Sequence, residues 1–440
     1  MKINLDITPP QKPHSFATIN LQENGNSCTL NLEYPKLEKV TSDINDVLLD
    51  LVLLANTVYA VDRWIIREKA PDNWTRNLSV CLPVSNPGKW NLTQPELNKC
   101  LSFLTGDFWE IKFEKRNTSL VLKNQEQLPL PIIRGQAVSL FSGGLDSLVG
   151  VINWLEENKD KSLALIGHHD PRMAGPLSDQ EGTLRILKDC YPGRLNDILI
   201  AVGANTGSDT TLRGRSFLFI ILGIYVANSI GITTPLIIPE NGTMALNVPL
   251  TPSRGGSSST RTVHPYYLLL IDKILKTLGI TNPISNPLAL KTKGEVLASC
   301  LNQAVLEKAI PFTASCSKRG HNREWIRRQA GQCGLCIPCI YRRAALHHIG
   351  KDNEIYGRDI CKGEVNIHSK LTLADDLRAY LSFIKSNPTE DEIKQRLLAN
   401  GRLDLNDLDE YADVIIRAME EVRDLFRDKA INEIKNLAGV

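Results

Sequence analysis

The stretch L-F-S-G-G-L-D-S-L-V-G, Leu140 to Gly150, decides how the rest of this chain is read. Residues 136–141 before it form a short apolar strand, and an apolar helix follows over 148–155. Glycines between a strand and a helix let backbone N–H groups close on an anion, and the helix N-terminus adds partial positive charge. Ser142 and Ser147 add hydroxyl donors. Asp146 would repel a polyphosphate, so its place is beside a metal ion or in fixing the loop, at the helix entry and outside the core. No lysine follows the glycines, which excludes the ordinary P-loop, and the spacing is not G-x-G-x-x-G. A bare Ser-Gly-Gly is often only a capping turn; the full S-G-G-L-D-S between strand and helix is far more specific.

Further strands are expected at 162–167, 197–202 and 235–239, each preceded by a helical stretch. That alternation predicts an α/β core with a parallel sheet and helices on both faces. Residues 1–133 read as a separate α+β domain. Its strands are expected at 15–21, 28–32 and 78–82, with a turn at Asn24-Gly25-Asn26 and a long helix from the N-cap Ser42 to about Arg67. No catalytic constellation stands out there, so a partner-binding or scaffolding role is the default. Leu128-Pro129-Leu130-Pro131 reads as a stiff linker. The core is expected over 134–310, a metal region over 311–350 and a helical extension over 351–440. In the extension Thr389 and Glu392 form a capping box, and Leu408, Tyr411, Ile415, Met419, Val422 and Phe426 recur at helical spacing. Such a stripe is expected to pack on the body of the protein.

The 440 residues are 42% hydrophobic and 23% charged, an ordinary soluble composition long enough for two or three domains. A net charge of +2 gives no global case for nucleic acid. No signal pattern opens the chain, and its longest apolar run, 217–227, is too short for a bilayer and reads as a buried helix. A cytoplasmic location is expected. Of ten cysteines, six are scattered and read as small buried apolar residues, while Cys316, Cys333, Cys336 and Cys339 cluster as C-x2-C-x2-C with one partner upstream. Four thiolates form a closed tetrahedral set for structural Zn2+. An iron–sulfur cluster and a redox nucleophile are the alternatives.

The S-G-G-L-D-S loop resembles the pyrophosphate loop of the PP-loop ATPases, a Rossmann-like fold of the adenine nucleotide α-hydrolase type. Those enzymes cleave ATP between its α and β phosphates and adenylate a substrate. The resemblance implies that Ser142, Gly143, Gly144, Leu145, Asp146 and Ser147 grip ATP. Thr313-Ala-Ser-Cys316-Ser and Cys333-Gly-Leu-Cys336-Ile-Pro-Cys339-Ile-Tyr-Arg342 resemble the zinc region of the 7-cyano-7-deazaguanine synthase (QueC) family. Arg215-Ser216-Phe217 and the segment Pro287-Leu288 to Val296 resemble further family segments, so that the likeness spans about residues 135–350. It implies adenylation of 7-carboxy-7-deazaguanine and transfer of the acyl group to ammonia, with Mg2+ screening the phosphates and Zn2+ bracing the wall. Asp146, Lys293 and Arg215 are the implied catalytic residues, and Lys291 and Arg342 are further cations within reach of phosphate.

The chain departs from the family in two places. His168-His169-Asp170-Pro171 replaces a Tyr-Gly-Gln motif, as a loop at the nucleotide edge or a metal ligand set. Past the fourth strand stand Glu240 and Asn241, a carboxylate and an amide suited to a guanine-like edge. The basic insert 254–265 is either a lid or acceptor loop or a linker. With its extra N-terminal part and helical tail, the layout resembles the QueC-like (QatC) proteins of Qat anti-phage defence systems. That likeness implies a protein partner (QatB) whose amine replaces ammonia. Two other readings stand beside it. One is a tRNA-sulfurating PP-loop enzyme using Lys318, Arg319, Arg323, Arg327 and Arg328; the other is a non-catalytic ATP-binding module of a defence complex.

Overall fold

Strand residues of the central sheet send alternate side chains into two different cores. Val138, Ala164, Ile166, Ile198, Ile200 and Leu236 face one; Ala137, Leu163, Leu165, Leu199 and Ile237 face the other. Strands buried on both faces are mostly apolar, as these are, and need helices on each side. The computed structural model describes residues 1–40, 45–122, 133–207, 209, 212–251, 261–319, 329–368 and 374–440. The strands are β1 (Lys2–Thr8), β2 (Thr18–Glu23), β3 (Asn26–Leu32), β4 (Asn77–Val84) and β5 (Phe108–Lys115), then β6 (Ala137–Leu140), β7 (Leu163–His169), β8 (Leu195–Ala204), β9 (Leu236–Ile237) and β10 (Ile284–Ser285). They form one ten-stranded sheet in the order β10-β9-β6-β7-β8-β3-β2-β1-β4-β5. All pairs are parallel except β1–β2, β2–β3 and β3–β8.

Helices Leu145–Glu157 and Pro176–Cys190 cover one face of the core strands. Helix Gly214–Ile230, apolar nearly all round, lies on the other, under helix Asp46–Trp64. From β6 the chain steps outward through β7 and β8, then returns to lay β9 and β10 on the opposite side of β6. The strand order therefore reverses between β6 and β9. In an open α/β sheet such a reversal opens a crevice at the carboxyl ends of the two strands.

The N-terminal strands do not make a layer of their own. β3 pairs with β8 through Leu30↔Ala204, Asn31↔Gly203 and Leu32↔Val202, and one apolar cluster runs across both halves. Asn24 and Gly25 both have positive φ (46° and 81°), the two-residue turn that suits the twist of a β-hairpin. The helix expected from Ser42 is capped instead by Asn45, whose Oδ1 accepts from Val47 N at 2.9 Å; Ser42 itself and the linker 128–131 lie outside the described residues. That helix stops at Trp64, because Arg67 turns inward to pair with Asp107 (2.9 Å) in a buried network with Asp62 and Arg76. Strands β1, β5 and β10 were not among the expected elements.

At the other end the Thr389–Glu392 capping box is present, and helix Leu408–Lys429 buries Leu408, Ile415, Met419, Val422 and Phe426. This helical C-terminus packs on helix Ile337–His348, and its Glu421 accepts hydrogen bonds from Thr292 Oγ1 and from Gly294 N (3.1 Å). No helix among the described residues is long and apolar enough to cross a membrane.

Gly150 fixes how closely helix Leu145–Glu157 approaches the end of β9, since a Cβ there would lie 2.5 Å from Pro239 Cβ. Helix propensity alone would reward Gly150→Leu by about 1 kcal/mol. Overpacking against a rigid proline ring typically costs about 1–3 kcal/mol. The gain should therefore be offset, and urea unfolding should show a net loss of up to about 2 kcal/mol.

Candidate functional site

The crevice between β6 and β9 collects most of the residues singled out in the sequence. The loop leaving β6 turns at Gly143, whose φ of +80° suits glycine, and Gly144 is the N-cap of helix Leu145–Glu157. A Cβ on Gly143 would meet Gln180 N at 3.0 Å, and one on Gly144 would meet the Ala314 carbonyl at 3.2 Å. Ser142 Oγ and Ser147 Oγ lie 3.2 Å apart across the loop, and Ser147 donates to the Gly144 carbonyl at 2.9 Å. Leu145 is fully buried and anchors the turn in the core. No side chain caps this helix, which leaves its first-turn N–H groups for an anion.

Asp146 is only 6% exposed, not at an open helix entry. Its Oδ2 accepts from Lys293 Nζ at 2.6 Å and from Asn241 Nδ2 at 2.9 Å, while its Oδ1 is buried with no partner. The expectation that Asp146 stands clear of the core is thus corrected: four residues from three segments meet there. Glu240 is half-buried beside the Asp146 carboxylate. Burial first, then the Asp146 charge, push its carboxyl well above the usual glutamate range, although Lys293 opposes this. Asn241, expected to read a ligand, is fully buried, and its own fold uses its amide. Nδ2 serves Asp146 and Glu240, and Oδ1 accepts from Met244 N at 3.0 Å.

Beside this cluster opens a cavity of about 210 Å³, lined by Ser142, Ser147, Arg215, Phe219, Glu240 and Thr262 among others. Arg215 extends along its wall with the guanidinium 5.9 Å above the Phe219 ring. The remaining cations are employed elsewhere. Lys291 Nζ donates to Ser299 Oγ (2.8 Å), and Arg342, fully buried, pairs with Glu354 and donates to Thr313 Oγ1 at 2.9 Å. Arg319 is paired with Asp179 (2.6 Å). Arg323, Arg327, Arg328 and residues 254–260 of the basic insert lie outside the described residues. His168 spends both ring nitrogens on protein partners, Val202 O (3.0 Å) and Arg215 Nε (3.3 Å), so it is no metal ligand here.

The four clustered cysteines meet as expected, their sulfurs all within 4.8 Å of one another. Gly334, at φ +78°, lets the chain turn so that Leu335 N (3.3 Å) and Cys336 N (3.4 Å) point at Cys333 Sγ. Cys336 begins helix Ile337–His348, Cys339 sits one turn on, and Cys316 arrives from a separate strand of chain. A buried all-sulfur tetrad suits a closed, structural Zn2+. The site also holds the glycine loop. Ala314, two residues before Cys316, donates its N–H to the Gly143 carbonyl at 3.0 Å, and Gln332 next to Cys333 brackets the same segment through Thr313 O (3.1 Å) and Ser315 N (3.2 Å).

Two supporting residues are not visible in the sequence. Gln180 bridges the Phe141 and His168 carbonyls at 3.2 Å each, and Asp62 Oδ2 accepts from Gly214 N at 2.8 Å at the head of the helix that carries Arg215. Neither sits in a local motif, so only three-dimensional proximity reveals it. No protein-family model, no curated protein and no solved structure matches the chain.

Two outcomes follow from this geometry. Elemental analysis should find one zinc per chain; Cys336→Ser should lose it and unfold at lower temperature, whereas Cys361→Ser, a buried cysteine outside the tetrad, should keep it. Because folding raises the Glu240 carboxyl, its contribution to stability is full below the ordinary glutamate range and is lost as pH rises through the raised value. Glu240→Gln removes that loss, so the urea midpoints of the two proteins should converge near about pH 4 and separate as pH rises.

Proposed function

We propose that this chain is an ATP-dependent, carbon–nitrogen bond-forming PP-loop enzyme of the 7-cyano-7-deazaguanine synthase type. The observation that carries the reading is the position of Ser142–Ser147. The loop lies where the strand order reverses, opens an uncapped helix and borders a cavity of small-heterocycle size. In this reading the loop N–H groups, Ser142 and Ser147 bind the pyrophosphate end of ATP. Asp146 Oδ1, buried and unpartnered, is the oxygen available to Mg2+, which when bound screens phosphate charge. Lys293 holds Asp146 in place.

7-Carboxy-7-deazaguanine is the proposed occupant of the cavity, with Glu240 at its ring edge. A carboxylate oxygen of the acid attacks the α-phosphorus of ATP and pyrophosphate departs, leaving an acyl-adenylate. The nitrogen of an amine then attacks the acyl carbon, AMP departs with the bonding electron pair, and the nitrogen loses a proton to solvent. No protein nucleophile is required; orientation and charge neutralisation lower the barrier. Ammonia or an amine of a partner protein is the acceptor. The partner reading rests on the likeness to Qat defence systems, where QatB would supply it. An RNA-sulfurating role has less support, because Arg319 is already paired and the four clustered cysteines form a metal-type tetrad and not a redox pair.

Ser142→Ala is the clean test, since Ser142 touches only the loop, whereas Asp146→Asn would also strand Lys293 in a buried site. Pyrophosphate release with ATP and 7-carboxy-7-deazaguanine should fall at least about a hundredfold with the melting temperature unchanged. Normal turnover by this variant would remove the ATP reading.

A further inference from the structure

Arg215 forms no salt bridge among the described residues; Asp170 lies near enough to favour its charge but accepts its hydrogen bonds from Tyr59 and from Arg172 N. Arg67, Arg76, Arg319, Arg342 and Arg343 each pair with an aspartate or glutamate. Arg215 instead donates from Nε to His168 Nδ1 (3.3 Å) and from Nη2 to the His168 carbonyl (3.3 Å), leaving Nη1 without a partner among the described residues. Burial works against its charge. A buried guanidinium at a cavity wall, with Nη1 unpartnered and no salt bridge among the described residues, is suited to an anion from outside the chain.

His168 explains how the fork is aimed without being neutralised. Its Nε2–H donates to the Val202 carbonyl at 3.0 Å, which fixes the tautomer and leaves Nδ1 as a bare acceptor. Burial, and then the Arg215 charge, push its pKa down to about 3, so the ring is neutral at any working pH. Tyr59 stands edge-on to it at 5.3 Å, its hydroxyl donating to Asp170 Oδ2 (3.0 Å), and Phe219 packs at 6.5 Å on another side. A carboxylate at this position would orient Arg215 equally well but would cancel its charge. A neutral imidazole orients it and leaves the charge for the cavity.

We infer that Arg215 is an oxyanion anchor in the 210 Å³ cavity and that His168 is the positioning residue that aims it, the ligand being a carboxylate of a planar acid or a phosphate of the nucleotide. The choice of these two oxyanions rests on the proposed function; the anchor itself does not.

Calorimetry on the full-length, zinc-loaded protein with ATP, 7-carboxy-7-deazaguanine and uncharged 7-deazaguanine tests this. Arg215→Met should weaken the anchored anion by about tenfold to a hundredfold and leave 7-deazaguanine unaffected. Loss on the carboxylated ligand identifies the acid as the source; loss on ATP identifies a phosphate. If the methionine variant does not fold, Arg215→Lys, which keeps the charge but not the fork, should show a smaller loss on the same ligand. His168→Phe, which keeps the ring shape and removes the acceptor, should reproduce the loss, and His168→Asn, which restores an acceptor near Nδ1, should recover most of it. Asparagine proving as damaging as phenylalanine would overturn the positioning role. Unchanged affinity of Arg215→Met for every anion the wild type binds would overturn the anchor and leave the ATP reading standing. Binding of only one anion by the wild type, weakened in Arg215→Met, upholds the anchor and removes the other ligand from the proposed function. A wild type that binds neither anion overturns both.

Discussion

The ion pair between Asp146 and Lys293 is the contact on which the rest of the site depends. It is buried, 2.6 Å long, and joins the helix after β6 to helix Lys293–Ala298, which lies far along the chain. Removing one member of such a pair typically costs about 3–5 kcal/mol, because the other is left charged in a poor solvent. The pair also recruits its surroundings. Asn241 closes on Asp146 from the end of β9, and burial together with the Asp146 charge pushes the carboxyl of Glu240 beside it well above the usual glutamate range. Lys293 is in turn held at the start of its helix by the Thr292–Glu295 capping box and by Glu421 from the C-terminal helix. The helical extension is therefore part of what sets the geometry of the crevice.

The cysteine tetrad plays the matching part on the other side of the glycine loop. A loop that offers backbone N–H groups to an anion is mostly glycine and serine, and nothing in its own side chains makes it rigid. Its shape comes from neighbours: Gln180 and Asp179 press on Gly143, and Ala314 hydrogen-bonds to it. Ala314 belongs to the segment that ends at Cys316, while Arg342, on the helix that starts at Cys336, holds Thr313. A metal bound by the four sulfurs would tie this segment to helix Ile337–His348. Metal and loop are then coupled through three residues of backbone.

The N-terminal part of the chain also supports the cavity. Its long helix packs on Gly214–Ile230, Asp62 takes the N–H of Gly214, and Tyr59 braces His168 and Asp170. The buried Asp62–Arg67–Arg76–Asp107 network fixes this corner, and it survives burial because each charge faces an opposite one at hydrogen-bond distance. A change in the first hundred residues can thereby reach Arg215 without touching a ligand.

The sequence by itself determined those features whose physics is local. The S-G-G-L-D-S turn between an apolar strand and a helix, the C-x2-C-x2-C spacing, the Thr389 capping box and the stripe from Leu408 to Phe426 each declare their geometry within a few residues. The doubly buried strand Leu163–His169 was legible for the same reason through its apolar run Leu163–Gly167, but not in the two histidines that end it. What only the tertiary structure decided rests on contacts between distant segments. Asp146 and Lys293 are 147 residues apart, so no local pattern could show that one buries the other. The two-residue β10 carries too little sequence to announce itself, and the union of β3 with β8 depends on edge hydrogen bonds that any extended backbone offers. Asn241 reads in the sequence as a free amide past a strand end, yet in the fold its donors and acceptor are consumed by Asp146, Glu240 and Met244. Residue type sets what a side chain can bond to; packing sets which of those bonds remain for a ligand.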